Sequence, residues 1–399
     1  MATIAVLGTL DSKGSEHAYL AEIIRAKGHD VLLIDVGTGT EPTVKPDVTR
    51  EQVAQAAGIN LTEIRSRQDR GECVVAMSQA APVMLAKLVK EGKIHGVISL
   101  GGGGGTAIAT AAMRELPLGF PKLMVSTLAS GNVAHYVGIK DIVMMPSIAD
   151  IAGLNRLSRV IFQRAAGAIC GMVEASTDEE NARPLIVASM FGNTTACVTE
   201  AKRILEEAGY EVLVFAATGA GGRSMEALIE SGLVAGVLDL TTTEWADELV
   251  GGVLSAGPTR LDAAARAGIP CVIAPGCLDM VNFGEKESVP EKFAGRTFYI
   301  HNPQVTLMRT TSSECAELGR IIAEKINHYT GPVTVLIPEK AISVISAPGQ
   351  PFHDAVADAA LFGALRDHCQ KPVETHTMEI NDPAFAAACA HRLLNHLGS

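Results

Sequence analysis

The sequence predicts an α/β protein of two Rossmann-like, doubly wound parallel-sheet subdomains with a cleft between them. Three observations carry this reading. Short apolar runs alternate with amphipathic helical stretches along the chain, the second half echoes the first, and one strand-to-helix junction holds five consecutive glycines, Gly101 to Gly105.

The first elements read strand, turn, helix, strand: TIAVLGT (3–9), the turn DSKG, a helical stretch SEHAYLAEIIRAKG ending at Gly28, and HDVLLIDVG. This is the βαβ pattern of a parallel sheet, whose strands are buried on both faces and so read as continuous apolar runs. Further strands are expected at 95–100, 122–127 and 141–147, and residues 152–176 form one uninterrupted helical pattern. A second copy starts at PLIVASMFGNTT (184–195). Its EAKRILEEAG and YEVLVFAATG echo LAEIIRAKG and HDVLLIDVG, and VAGVLDLTTTE (234–244) echoes IHGVISLGGGG (94–104). Internal similarity on this scale suggests two related units. The polar stretch TDEENARP (177–184) places the boundary, giving subdomains 1–178 and 179–399. The C-terminal strands and helices most simply extend the second sheet.

Composition narrows the function classes. The 399 residues are 47% hydrophobic and only 4% aromatic, with net charge −11, so a nucleic-acid groove is not expected. No leader pattern and no apolar run of membrane-spanning length is read, which points to a cytoplasmic protein. The eight cysteines contain no C-x-x-C pair and read as buried free thiols. The motifs G-x-S-x-G and H-E-x-x-H are absent, as are His and Cys at zinc spacing.

Ligands of open parallel sheets bind at the carboxyl ends of the strands, so the loops there carry the candidates. Five bare residues in one turn permit close approach of a ligand to the backbone. Gly101, Gly102, Gly103, Gly104 and Gly105, with Thr106 expected to cap the following helix, therefore read as an anion site. The loop is neither a Walker A nor a clean G-x-G-x-x-G, since the lysine and the third glycine are missing. Lys13 is a candidate for phosphate charge. Asp11 and Asp35 are candidates for Mg²⁺ or a ribose hydroxyl, because carboxylates at strand ends are the usual oxygen ligands for either. Thr127 and Asn132 follow the fourth strand.

The second half offers Asn193 and Thr194, Thr241 and Thr242, and Arg223 beside glycines, whose guanidinium suits a carboxylate or phosphate. The polar run HNPQVTLMRTTSSE (301–314) brings His301, Asn302 and Arg309 together as a site wall. In PGQPFHDAVAD, His353 next to Asp354 is a candidate base with its orienter, or Asp354 serves only the helix dipole.

Together LGTLDSKGSEHAYL, SLGGGGGT, PGCLDMVNFG, HNPQVTLMRTT and GQPFHDAVAD resemble the Tm-1-like ATP-binding family, UPF0261, over essentially the whole chain. The resemblance implies two Rossmann-like subdomains, ATP with Mg²⁺ and a homodimer, but no particular reaction. Three hypotheses follow. The first is an ATP-using enzyme acting on a small carboxylate or phosphorylated metabolite in the cleft, and the second a non-catalytic nucleotide module acting through dimerisation or a partner protein. The third is an enzyme whose glycine loop holds the substrate itself.

Overall fold

The computed structural model describes residues 1–175 and 183–398, arranged as two compact units, Met1–Asp178 and Glu179–Ser399. Most of TDEENARP lies outside the described residues.

Unit 1 runs β1 (Thr3–Gly8), α1 (Leu10–Ala26), β2 (Asp30–Asp35), α2 (Arg50–Ala56), α3 (Leu61–Ser66), α4 (Arg70–Lys90), β3 (Gly96–Gly101), α5 (Gly103–Arg114), β4 (Lys122–Ser126), α6 (Ala134–Val137), β5 (Val143–Pro146) and α7 (Arg156–Glu174). Its five strands pair in the order β2-β1-β3-β4-β5, all parallel. One core lies between the sheet and α2, α4 and α5, around Met77, Leu85, Ile108 and Met113; the other lies between the sheet and α1 and α7, around Leu20, Ile24, Ile161 and Phe162. The stripe Ile161, Phe162, Ala165, Ala166, Ile169, Cys170 shows why 156–174 is helical: i, i+3, i+4 spacing puts every apolar side chain on one face. That helix starts later than the sequence pattern suggests, because Asn155 caps it, accepting from the N–H groups of Leu157 and Ser158.

The expectation that no apolar run reaches membrane-spanning length is corrected at α4. It is long and apolar enough by length and composition, its charges being confined to the ends at Arg70, Glu72, Lys87 and Lys90. Its stripe of Met77, Ala80, Ala81, Met84 and Leu85 packs into the unit's own core.

Unit 2 runs β6 (Leu185–Met190), α8 (Thr195–Glu207), β7 (Glu211–Ala216), α9 (Ala220–Glu230), β8 (Val234–Thr241), α10 (Glu244–Val250), α11 (Asp262–Ala267), β9 (Cys271–Gly276), β10 (Met280–Phe283), β11 (Phe298–Asn302), β12 (Val305–Arg309), α12 (Ser312–Asn327), β13 (Val333–Pro338), α13 (Ala355–His368), β14 (Val373–His376) and α14 (Pro383–Leu397). Its parallel sheet has the order β14-β13-β9-β8-β6-β7. Read from β7, that is the order of unit 1 with a sixth strand added, so the repeat is topological as well as sequential. The remaining three strands form a separate antiparallel sheet, β10-β12-β11. Residues 298–309 therefore form a hairpin. Asn302 Oδ1 accepts the Gln304 N–H at 2.9 Å and closes the turn.

Candidate functional site

In a sheet of order 2-1-3-4-5 the chain crosses over between β1 and β3, and the crevice outside their carboxyl ends is where such folds bind ligands. A cavity of about 830 Å³ lies there, lined by Thr9, Asp11, Ser12 and Lys13 after β1, by Gly39 after β2, and by Gly102, Gly104 and Gly105 after β3. Cavities of this volume suit small-molecule ligands.

The glycine run divides into two kinds of position. None of the five adopts a positive φ. A Cβ on Gly101 would lie 3.0 Å from Gly105 Cα and Thr106 N, so the fold requires glycine there. On Gly102, Gly103, Gly104 and Gly105 a Cβ would meet nothing closer than 3.6 Å, and local packing leaves those four without a steric reason. The helix N-cap is Gly102, with no side-chain cap. Thr106 does not cap α5: it sits inside the helix, buried, its hydroxyl 2.7 Å from Ser126 Oγ.

The first N–H groups of any helix lack intrahelical partners and must be met from outside. Among the described α-helices of eight residues or more, every other one receives a side-chain oxygen. Asp69 serves α4, Asn155 α7, Asn381 α8, Thr311 α12, Asp354 α13 and Asp382 α14. Asn381 arrives from a distance, and so do two carboxylates. Asp35 Oδ1 accepts from Leu10 N at 3.1 Å, covering α1, and from Gly37 N at 2.8 Å. Glu244 Oε1 accepts from Gly219 N at 2.7 Å and Gly222 N at 3.1 Å, covering α9. A Cβ on Gly222 would lie 2.2 Å from Glu244 Oε2, so here glycine makes room for the protein's own carboxylate. At α5 no side-chain oxygen of the described residues takes that position.

Cations gather around the cavity. Lys13 reaches in from a break in α1 and donates to the carbonyl of Ile151; Arg65 donates to the carbonyl of Gly39; Arg70 is exposed on the wall. Arg65 and Arg70 escape sequence reasoning, although the charged stretch IRSRQDRGE (64–72) carries the signal. Asp11, Asp69 and Asp150 also line the cavity. Asp11 Oδ2 accepts from Gly39 N at 2.6 Å, and a Cβ on Gly37 would sit 2.8 Å from Asp11 Cγ and 3.0 Å from Asp35 Oδ1. Glycine at 37 thus lets two carboxylates converge. Asp35 itself is fully buried outside the cavity lining, and burial raises its carboxyl above the ordinary range against the lowering effect of its Gly37 and Leu10 hydrogen bonds. Thr127 sits beside Gly102, while Asn132 is exposed and accepts from Ala134 N at 3.0 Å.

A metal must then find its ligands mostly outside the protein. No group of three or more His, Cys, Asp or Glu is placed to hold an ion among the described residues. Mg²⁺ commonly takes one or two carboxylates together with phosphate oxygens and water. Asp11, facing the cavity, fits that limited role; Asp35, enclosed and capping α1, fits it less well.

The candidates of the second half are engaged within unit 2. Thr194 and Thr241 are brought together, hydroxyl to hydroxyl at 2.8 Å and buried, and Thr242 donates to the Ala274 carbonyl. Asn193 accepts at its backbone oxygen from Asn381, and Arg223 donates to Ser255 O at 2.9 Å. Arg309 is buried: it reaches Asp358 at 2.6 Å, the Phe352 carbonyl at 2.8 Å and Thr310 Oγ1 at 2.9 Å. Asp354 caps α13, while His353 is exposed with Nδ1 3.2 Å from the Ser346 carbonyl. His301 and Asn302 are exposed on the hairpin. At the centre of the unit Arg260 pairs with Asp239 at 2.6 Å, Glu244 at 2.7 Å and Glu226 at 3.1 Å.

The fold and cavity define a doubly wound α/β protein of two related units, the first with a ligand-sized, cation-bearing crevice at its crossover. The chain belongs to the UPF0261 family: residues 2–178 match the "Uncharacterised protein family (UPF0261) N-terminal domain" and residues 183–397 its C-terminal domain. It is 49% identical over 397 residues to a UPF0261 protein of Clostridium tetani, covering 98% of both chains. It is 49% identical over 392 residues to one of Rhizobium meliloti, covering 97% of both. It is 39% identical over 415 residues to the ToMV resistance protein Tm-1(GCR237) of Solanum lycopersicum, covering 97% of this chain and 55% of the tomato protein. The chain thus spans about half the length of that plant relative.

Proposed function

We propose that unit 1 binds the phosphates of a nucleotide, ATP in the reading the family resemblance suggests, at the N-terminus of α5. The observation that carries this is the uncapped helix start, bare of side chains where packing does not demand it and opening on the 830 Å³ cavity. Three N–H groups and the positive end of a 12-residue helix favour an anion there. Lys13, Arg65 and Arg70 supply the charge a Walker lysine would otherwise give. Asp11 would hold Mg²⁺, which would supply charge neutralisation to the phosphates.

Two outputs are compatible with binding. One is an ATP-using enzyme acting on a small carboxylate or phosphorylated metabolite. The other is nucleotide binding without turnover, read out through a homodimer or partner protein; the engagement of Arg309, Asp354 and Arg223 in structural contacts favours it. Titrating ATP, ADP, AMP and adenosine into the full chain tests the phosphate reading. Affinity should fall with each phosphate removed, and adenosine binding as tightly as ATP would sink it.

A further inference from the structure

We propose that His17 is a positioning residue that sets Lys13 for the anion; this rests on the phosphate reading of the cavity above. The helix α1 is broken at one residue, Lys13, with φ −135° and ψ 30°, between otherwise helical neighbours. One turn later the His17 ring is fully buried, and its Nδ1 lies 2.7 Å from the Lys13 carbonyl oxygen. Burial holds the imidazole below its ordinary pKa, so the ring is neutral, with Lys13 and Glu16 the charged groups acting on it. A neutral imidazole facing a carbonyl must carry its proton on Nδ1, which leaves Nε2 bare.

That second nitrogen has no partner and lies against the last residue of β1. A Cβ on Gly8 would be 2.0 Å from Nε2, so Gly8 is the seat into which the ring is wedged. The spacing Gly8, Lys13, His17 therefore works as one device. Strand end and ring fix the carbonyl of the residue whose ammonium lines the cavity. A buried ring nitrogen without a partner is costly compared with an apolar side chain of similar volume. What the histidine adds is one short hydrogen bond, and it is to the cavity lysine, the Leu7 backbone being the lesser polar neighbour of the ring. The ammonium of Lys13 meanwhile donates to the neutral carbonyl of Ile151, an acceptor that an incoming anion exchanges for a charged one.

The test is calorimetric titration of inorganic pyrophosphate into the full chain, with circular dichroism to establish folding. Lys13→Gln should weaken binding about tenfold or more, the usual worth of a hydrogen bond to a charged group. His17→Leu should weaken it comparably, and the double variant should be no weaker than Lys13→Gln alone. His17→Asn, whose amide nitrogen takes the place of Nδ1, should stay within about threefold of wild type, the scatter expected of uncoupled changes. Gly8→Ala, which expels the ring without altering it, should behave as His17→Leu and serves as the probe if His17→Leu does not fold. Additive losses in the double variant, or His17→Asn as weak as His17→Leu, would mean the ring only fills space and would overturn the proposal. Wild-type protein that ignores pyrophosphate would instead overturn the cavity reading itself.

Discussion

Replacing Gly103, Gly104 and Gly105 together by alanine should make the protein more stable. All three occupy the first turn of α5, none has a positive φ, and a Cβ at each meets only ordinary van der Waals neighbours, Val74 Cγ2 at 3.6 Å being the closest. Glycine inside a helix costs roughly 0.5–1 kcal/mol relative to alanine, mostly as unfolded-chain entropy. Because first-turn positions realise only part of this, a gain of about 1–2 kcal/mol is expected, raising the melting temperature by about 2–4 °C per kcal/mol. Gly101→Ala provides the internal control. Its Cβ would press on backbone atoms at 3.0 Å, so it should destabilise by about 1–3 kcal/mol. Thermal and urea denaturation followed by far-ultraviolet circular dichroism reads both. If the triple variant is less stable than wild type, the glycines serve the fold, and their explanation by a ligand loses its premise.

Three further outcomes follow from the same geometry. Glu244→Ala strips the cap from α9 and one of three carboxylates from the buried Arg260, and should destabilise unit 2 by about 3 kcal/mol; Trp245, the sole tryptophan, reports its unfolding, and a change below about 1 kcal/mol would contradict the cap. Burial pushes the Asp247 carboxyl up to about 7 from an ordinary 3.8. The folded state therefore keeps a proton that the unfolded chain releases between those values, so this group's contribution to stability declines as pH rises through that window and levels off above it, by at most about 1.4 kcal/mol per pH unit. Asp247→Asn should remove that slope relative to wild type and be the more stable protein at pH 8, since Asn282 Oδ1, now unpartnered, can turn toward the introduced amide; equal slopes in urea titrations from pH 4.5 to 8 would refute the assignment. Asp11→Asn should abolish the enhancement of ATP affinity by Mg²⁺ while leaving the metal-free Kd within about twofold, and an unchanged enhancement would place the ion elsewhere.

Much of the fold was legible because its strands are buried on both faces. GVISLG and KLMVS are continuously buried, and such short runs bounded by turns read as parallel strands. The hairpin at 298–309 was hidden because Thr306 and Arg309 are polar yet buried, so alternation did not follow hydrophobicity. At the site, Gly102 to Gly105 and Lys13 could be found because strand, bare loop and helix are adjacent in sequence. The carboxylates that close the competing helix ends could not. Asp35 caps Leu10 and Glu244 caps Gly219, each across 25 residues, and neither carries a local mark that separates a cap from a ligand. Arg65 and Arg70 were missed for a similar reason, since only the tertiary fold brings 64–72 over the glycine loop.

The central claim is that the start of α5 holds phosphate, and calorimetric titration of ATP, with and without Mg²⁺, into wild type and the triple-alanine variant tests it most directly. The account predicts binding to wild type, and a variant that is folded and more stable yet binds at least about tenfold more weakly, because the added methyl groups hold the phosphate away from N–H groups that the variant retains. Equal affinity in the two proteins, or no binding to wild type, would contradict it.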